Sequence, residues 1–132
     1  MQKHIVVIED DEYVLLGLRL NLKSAGYEVS AFGDAEGAYL KISEVIASGG
    51  RIDLLVTDID LPKISGIELL DSLTAKNIHI PIIAISGYGR KNIMEDLIGR
   101  KIFNFIEKPF TFKQLKDHID FVFEKEEQEI IK

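Results

Sequence analysis

The feature that most constrains the fold of this 132-residue chain is a regular alternation of short apolar runs with amphipathic stretches. Runs that are largely apolar, rather than apolar at every second position, are typical of strands buried on both faces of a parallel sheet. Four runs are of this kind, and one alternates, which is typical of an edge strand. In chain order the runs are residues 4–8, 27–32 (the alternating one), 53–57, 80–86 and 102–106.

Each run is followed by apolar residues at helical spacing, and glycines lie near the predicted helix ends, among them Gly26, Gly49, Gly50 and Gly99. A third helix is predicted to begin near Gly66. Five strand–helix units in succession predict an α/β fold, with a parallel sheet covered by helices on both faces. The predicted core faces are Val14, Leu18, Leu22 and Ala25; Ala38, Ile42, Val45 and Ile46; Leu69, Leu70 and Leu73; Ile93, Met94 and Leu97; and Phe112, Leu115, Ile119 and Val122.

Length and composition predict a single globular domain and exclude several kinds of site. The chain is 46% apolar and 29% charged, and its net charge of −6 argues against sequence-independent binding of nucleic acid. Because cysteine is absent, disulfides and Cys/His zinc sites are excluded. The amino-terminal apolar run is too short for a signal peptide or a membrane span. We therefore expect no membrane association and, by default, a cytoplasmic location.

Polar residues follow four of the predicted strands directly. In a parallel sheet the carboxyl ends of the strands share one edge, where ligands of open α/β folds bind. Taken singly, each of these residues has an ordinary explanation, and Asp11 in particular is expected to cap the first helix. Together they bring carboxylates, a hydroxyl and an ammonium to one place. They are Glu9, Asp10 and Asp11; Asp58 and Asp60; Ser86; and Glu107 and Lys108.

This set of groups is suited to phosphoryl transfer. Clustered carboxylates raise one another's pKa, and a hard divalent cation such as Mg²⁺ relieves the repulsion. An aspartate beside such a cation can attack phosphorus as a nucleophile. Lys108 and Ser86 are placed to bind the oxygens of the transferred group.

The motifs "VVIEDDE", "DLLVTDIDLPKISGIELL", "PIIAISGYG" and "FIEKPF", in this order, resemble the receiver domains of two-component response regulators. The resemblance extends from about Lys3 to Glu124. It implies a flavodoxin-like (βα)5 doubly wound fold with strand order 2-1-3-4-5. Residues 1–124 are then the receiver domain, and residues 125–132 are the end of the last helix or the start of a linker.

The same resemblance implies a role for each residue at the strand ends. Asp58 would accept the phosphoryl group, and Mg²⁺ would be bound by Glu9, Asp10, Asp58 and the backbone carbonyl of Asp60. Here Glu9 stands where aspartate is more common. Lys108 would pair with the phosphate.

Further residues are implied in the response to phosphorylation. Ser86 would be the hydroxyl switch and Phe105 the aromatic switch, and the bond between Lys108 and Pro109 is expected to be cis. Ser86 with Gly87 replaces the more frequent Thr-Ala pair, which adds backbone freedom beside the switch. The output face would be formed by the fourth helix, the fifth strand and the fifth helix.

The implied partners are a histidine kinase or phosphotransfer protein and an unknown downstream domain or protein. A phosphorylation-dependent homodimer is also implied, but no direct binding of nucleic acid. The domain would catalyse only its own phosphorylation and slow dephosphorylation, so it would be a switch rather than an enzyme with turnover. The sequence leaves open whether it stands alone or belongs to a larger regulator or hybrid kinase.

Three other functions fit the sequence less well. Haloacid dehalogenase-like phosphatases also have Asp-x-Asp with a later Ser and Lys, but their acidic metal-binding pair follows the lysine, whereas here it precedes every other motif. A flavodoxin-like electron carrier is disfavoured because the loop "EDDEY" has no glycine or hydroxyl to bind the FMN phosphate. A pseudo-receiver that acts only as a binding module would lack one of the acids or the lysine, and all are present.

Overall fold

The computed structural model describes residues 2–61, 65–87, 91–100, 102 and 104–131, with side chains excluded for 91–94 and 129–131. Five strands form one parallel sheet in the order β2-β1-β3-β4-β5, which confirms the predicted fold. The strands are β1 (His4–Ile8), β2 (Glu28–Phe32), β3 (Leu54–Asp58), β4 (Ile82–Ser86) and β5 (Phe105–Glu107). The helices are α1 (Glu12–Ser24), α2 (Ala35–Ala47), α3 (Gly66–Ala75), α4 (Lys91–Gly99) and α5 (Phe112–Ile131).

The sheet separates two apolar layers, because alternate residues of each central strand point to opposite faces. Val6 and Ile8 of β1 pack with α2, α3 and α4. Ile5 and Val7 of the same strand pack with α1 and α5. Burial on both faces explains why the central strands are largely apolar rather than apolar at every second position.

Short polar side chains fix where helices begin. Asp11 is the N-cap of α1, and its Oδ1 accepts hydrogen bonds from the backbone N–H groups of Tyr13 and Val14 at 2.9 and 3.1 Å. Asp34 caps α2 in the same way. Gly26 has a φ of 97°, a left-handed conformation that ends α1 at low cost for a residue without a side chain.

Some predicted boundaries and core positions differ from the structure. Strand β5 begins at Phe105 rather than at Ile102, because the Ile102 N–H donates to the Leu97 carbonyl and closes the end of α4. In α1, Leu18 and Leu22 are buried as predicted, but Val14 is 40% exposed. The side chains of Ile93 and Met94, which were predicted to face the core, lie outside the described residues.

Asp53, predicted to be a strand residue, precedes β3 and joins two strands at the amino-terminal edge of the sheet. Its Oδ2 accepts the His4 N–H at 2.8 Å, and its Oδ1 lies 2.7 Å from Arg51 Nε. This buried carboxylate therefore has a structural role at the edge opposite to the predicted site. Within the described ranges, no helix combines the length and the apolar character needed to cross a bilayer.

Candidate functional site

The carboxyl ends of β1, β3 and β5 bring Glu9, Asp58 and Lys108 into direct contact. Ile8 pairs with Thr57 in the sheet, so the residues that follow them, Glu9 and Asp58, are neighbours. Lys108 follows β5 directly and reaches back across the edge of the sheet. Its Nζ lies 2.5 Å from Asp58 Oδ2 and 3.0 Å from Glu9 Oε2.

Both carboxylates in this cluster are removed from water. Glu9 and Asp58 are each 1% exposed, whereas the Lys108 side chain is about one-third exposed. Burial raises the pKa of the Glu9 carboxyl above its ordinary value, although hydrogen bonds from Lys108 and the Asp11 N–H act against it. Burial alone would lower the pKa of Lys108, but its hydrogen bonds to Asp58 and Glu9 outweigh this and leave that pKa raised. Lys108 is therefore held as a cation beside Asp58.

A third carboxylate, Asp10, completes a group that could hold a metal ion. Ligand oxygens of Glu9, Asp10 and Asp58 lie within 4.8 Å of one another. Glu9 Oε2 is buried and has no hydrogen-bond partner, since its approach to Lys108 lacks hydrogen-bond geometry. One ammonium against three carboxylates leaves two negative charges, which matches a divalent cation. An all-oxygen donor set with one exposed member fits Mg²⁺.

Asp11 is not part of this group, because its side chain is committed to the N-terminus of α1. Glu107, the last residue of β5, is exposed and also lies outside the carboxylate group found among the described residues. The two acidic residues that join Asp58 are therefore Glu9 and Asp10, directly after β1.

The backbone around Asp58 is fixed by its neighbours. Asp58 Oδ1 accepts the Asp60 N–H at 2.8 Å, and the Ile59 N–H donates to the Ile85 carbonyl of β4 at 3.0 Å. Helix α3 begins against the same segment. A Cβ atom on Gly66 would lie 2.7 Å from Ile59 Cα and 2.9 Å from the Asp58 carbonyl oxygen, so this close approach requires glycine.

The predicted switch residues lie on the two strands beyond Asp58. Ser86, the last residue of β4, is buried, and its carbonyl accepts the Lys108 N–H at 2.8 Å. Phe105 is half-buried and packs against the apolar layer that includes α2, α3 and α4. The Lys108–Pro109 peptide bond is cis.

The side chain of Asp60 has a contact that the sequence did not indicate. Its Oδ2 accepts a hydrogen bond from the Gly87 N–H at 3.3 Å. The sequence-based interpretation gave Asp60 only a backbone role. An Asp-x-Asp spacing after a buried strand signals that two side chains emerge together, but not which group the second one contacts.

Comparison with known proteins gives a consistent result. Residues 5–120 match the family model for the response regulator receiver domain. The chain is 32% identical over 117 residues to the transcriptional regulatory protein FixJ of Bradyrhizobium diazoefficiens, covering 89% of this chain and 55% of FixJ. It is 32% identical over 123 residues to the sensor kinase CckA of Brucella abortus, covering 93% of this chain and 13% of CckA. This chain is thus much shorter than these relatives.

The fold also matches solved structures along almost its whole length. A CheY-like response regulator receiver domain protein from Methanospirillum hungatei superposes with a TM-score of 0.85 at 25% identity, covering 98% of this chain and 99% of the other. The sequence match, the strand order and the side chains that meet at the strand ends all point to the same family. The chain belongs to the response regulator receiver domain family, the phosphoacceptor domains of two-component systems.

Proposed function

We propose that Asp58 accepts a phosphoryl group from the phosphohistidine of a histidine kinase or phosphotransfer protein. The observation that carries this proposal is the buried Asp58 carboxylate in contact with Lys108 at the edge of the sheet. A carboxylate oxygen of Asp58 attacks phosphorus, the phosphorus–nitrogen bond breaks, and the histidine imidazole leaves with the bond's electron pair. The products are an aspartyl phosphate and an imidazolate, which takes up a proton to give the neutral imidazole.

The neighbours of Asp58 have separate roles in this step. The Lys108 Nζ lies 2.5 Å from Asp58 Oδ2, which supports the proposal that it would bind an oxygen of the incoming group. The Ser86 hydroxyl, at the end of β4, would bind a second oxygen. Glu9, Asp10, Asp58 and the backbone carbonyl of Asp60 would hold Mg²⁺, which supplies neutralisation of the phosphoryl charge when bound.

Phosphorylation would be read out through β4 and β5. The Ser86 carbonyl and the Lys108 N–H join the ends of these strands, and Ala84 of β4 pairs with Phe105 of β5. Movement of Ser86 toward the phosphoryl group would therefore displace the backbone of β5 at Phe105. We propose that Phe105 then turns inward and repacks the face formed by α4, β5 and α5, which shifts the population between two states.

The wider context of the domain is also a proposal. CckA and FixJ extend far beyond the matched region, so this domain would pass its signal to another domain or protein, and a phosphorylation-dependent homodimer is one such output. Its chemistry would be limited to its own phosphorylation and slow dephosphorylation. A cytoplasmic location fits a partner kinase that uses ATP.

Intact-mass measurement after incubation with Mg²⁺ and acetyl phosphate tests the site. We expect a gain of one phosphoryl group that is lost without Mg²⁺ and in Asp58→Asn. Asp117→Asn, the same chemical change on the exposed surface of α5, is the matched control and keeps the gain. Steady hydrolysis of acetyl phosphate without a gain in mass would favour a phosphatase instead. If there were neither a gain in mass nor hydrolysis of acetyl phosphate, the result would favour a binding module.

A further inference from the structure

A side-chain contact joins the segment after β3 to the segment after β4. Asp60 Oδ2 accepts the Gly87 N–H at 3.3 Å. A Cβ atom on residue 87 would lie 3.6 Å from this oxygen, so the carboxylate lies directly against the Gly87 backbone. Gly87 immediately follows the buried Ser86, the proposed hydroxyl switch. The Asp60 side chain therefore contacts the backbone whose movement the switch requires.

The main chain of Asp60 contacts the proposed phosphoacceptor as well. The Asp60 N–H donates to Asp58 Oδ1 at 2.8 Å, while Asp58 Oδ2 is bound to Lys108. One residue thus connects Asp58, through its backbone, to the Ser86–Gly87 segment, through its side chain. A change of charge on Asp58 would act on this connection directly.

Phosphorylation would increase the negative charge beside the Asp60 segment. The phosphoryl group carries roughly two negative charges, and because the Asp58 carboxylate gives up its own charge in forming the acyl phosphate, the site gains about one charge together with strong acceptor oxygens. Like charges repel, and the phosphoryl oxygens compete with Asp60 Oδ2 for the same backbone donor. The bond between Asp60 and Gly87 at 3.3 Å is long for an N–H···O hydrogen bond, so it is the weaker competitor.

We propose that the Asp60 side chain is a positioning residue, which holds the Ser86–Gly87 segment in its resting position and releases it when Asp58 is phosphorylated. This inference rests on the proposed function of Asp58. Once released, the Gly87 N–H donates to a phosphoryl oxygen, and Ser86 moves with it toward the phosphoryl group. Asp60 thereby converts a charge on β3 into movement of the segment after β4.

Amide hydrogen exchange in the unphosphorylated protein tests the resting contact without any phosphodonor. In Asp60→Ala, protection of the Gly87 amide falls by about fivefold, the equilibrium factor for one ordinary hydrogen bond. Asp60→Asn retains an acceptor oxygen and keeps most of the protection, and Asp117→Asn keeps all of it. Unchanged protection in Asp60→Ala would overturn the proposal.

Phosphorylation by acetyl phosphate with Mg²⁺ tests the release. Wild type shows a large shift of the Gly87 amide resonance on phosphorylation, whereas Asp60→Ala shows a smaller shift and takes up the phosphoryl group about fivefold faster, because one hydrogen bond no longer has to break. If Asp60→Ala lost protection at Gly87 but took up phosphate at the wild-type rate, the release would be refuted. If wild type took up no phosphate, the function of Asp58 would fail and the release with it, while the exchange data would still decide the resting contact.

Discussion

Replacing Glu9 with glutamine is expected to stabilise the protein in the absence of divalent cations. Glu9 is 1% exposed, its Oε2 has no hydrogen-bond partner, and burial raises the pKa of its carboxyl despite the nearby ammonium of Lys108. The desolvation cost of the charge therefore exceeds what the ion pair returns. Lys108 keeps its closer partner, Asp58, in the variant. Removing a buried charge with an unsatisfied oxygen should raise the free energy of unfolding by about 1–2 kcal/mol near neutral pH.

The gain in free energy of unfolding of Glu9→Gln over wild type is expected to increase with pH. A carboxyl whose pKa is raised on folding contributes its full stability below the unfolded-state value, 4.5, and loses it as pH rises through the folded-state value. Glutamine does not titrate. The difference in stability between Glu9→Gln and wild type should thus be near zero at about pH 4 and grow toward neutral pH. Urea unfolding in EDTA, followed by circular dichroism across this range, measures it.

Mg²⁺ supplies the second half of the test. If Glu9 helps to bind the ion, wild type gains about 1.4 kcal/mol at a free concentration roughly ten times its Kd, and the variant gains less. The difference in free energy of unfolding between Glu9→Gln and wild type then becomes smaller or changes sign when Mg²⁺ is added. A Glu9→Gln protein that is less stable than wild type in EDTA at neutral pH would refute the reasoning, because it would show that the ion pair outweighs the burial of the charge.

Three further substitutions test the scaffold by urea unfolding. Asp11→Ala removes the cap of α1 and should cost about 1 kcal/mol, and an unchanged midpoint would contradict the capping role. Ile42→Ala opens a cavity in a fully buried part of α2 and should cost about 2–5 kcal/mol, so a smaller loss would mean that the layer collapses around it. Arg100→Gln breaks a surface pair with Asp71, whose pKa is lowered chiefly by the hydrogen bond from Arg100. Because this pair is solvent-exposed, the cost should stay below about 1 kcal/mol, and a larger loss would show that the pair is not screened by water.

The sequence predicted the architecture well because burial on both faces of a parallel sheet leaves a strong signal. Largely apolar runs identified the central strands, and the common edge of a parallel sheet predicted that Glu9, Asp58 and Lys108 would meet, although they are up to 99 residues apart. The structure brings these three side chains into contact. Their chemical roles stay predictions until phosphorylation is measured.

Contacts made by single atoms were beyond the sequence. The apolar character of Ile102 predicts a strand residue, but its N–H donates to the Leu97 carbonyl at the end of α4. Composition does not encode this hydrogen bond. Val14 has helical spacing with Leu18, yet it lies at the exposed margin of α1. The bond from Gly87 to Asp60 depends on how two loops approach each other. Such approaches are set by tertiary packing rather than by local pattern.

The position of Lys108, directly after the last and shortest strand, has a consequence for how the site forms. Strand β5 has three residues, lies at the edge of the sheet and pairs with β4. During synthesis on a ribosome, every carboxylate of the cluster emerges long before the ammonium that neutralises part of its charge. Fraying of this one strand would strip the acidic cluster of its counter-ion while the apolar layer that includes α2, α3 and α4 stays largely in place. Premature termination before residue 108 would also remove α5 and uncover part of the opposite layer. Competence to receive a phosphoryl group would thus distinguish a finished domain from one that is merely compact.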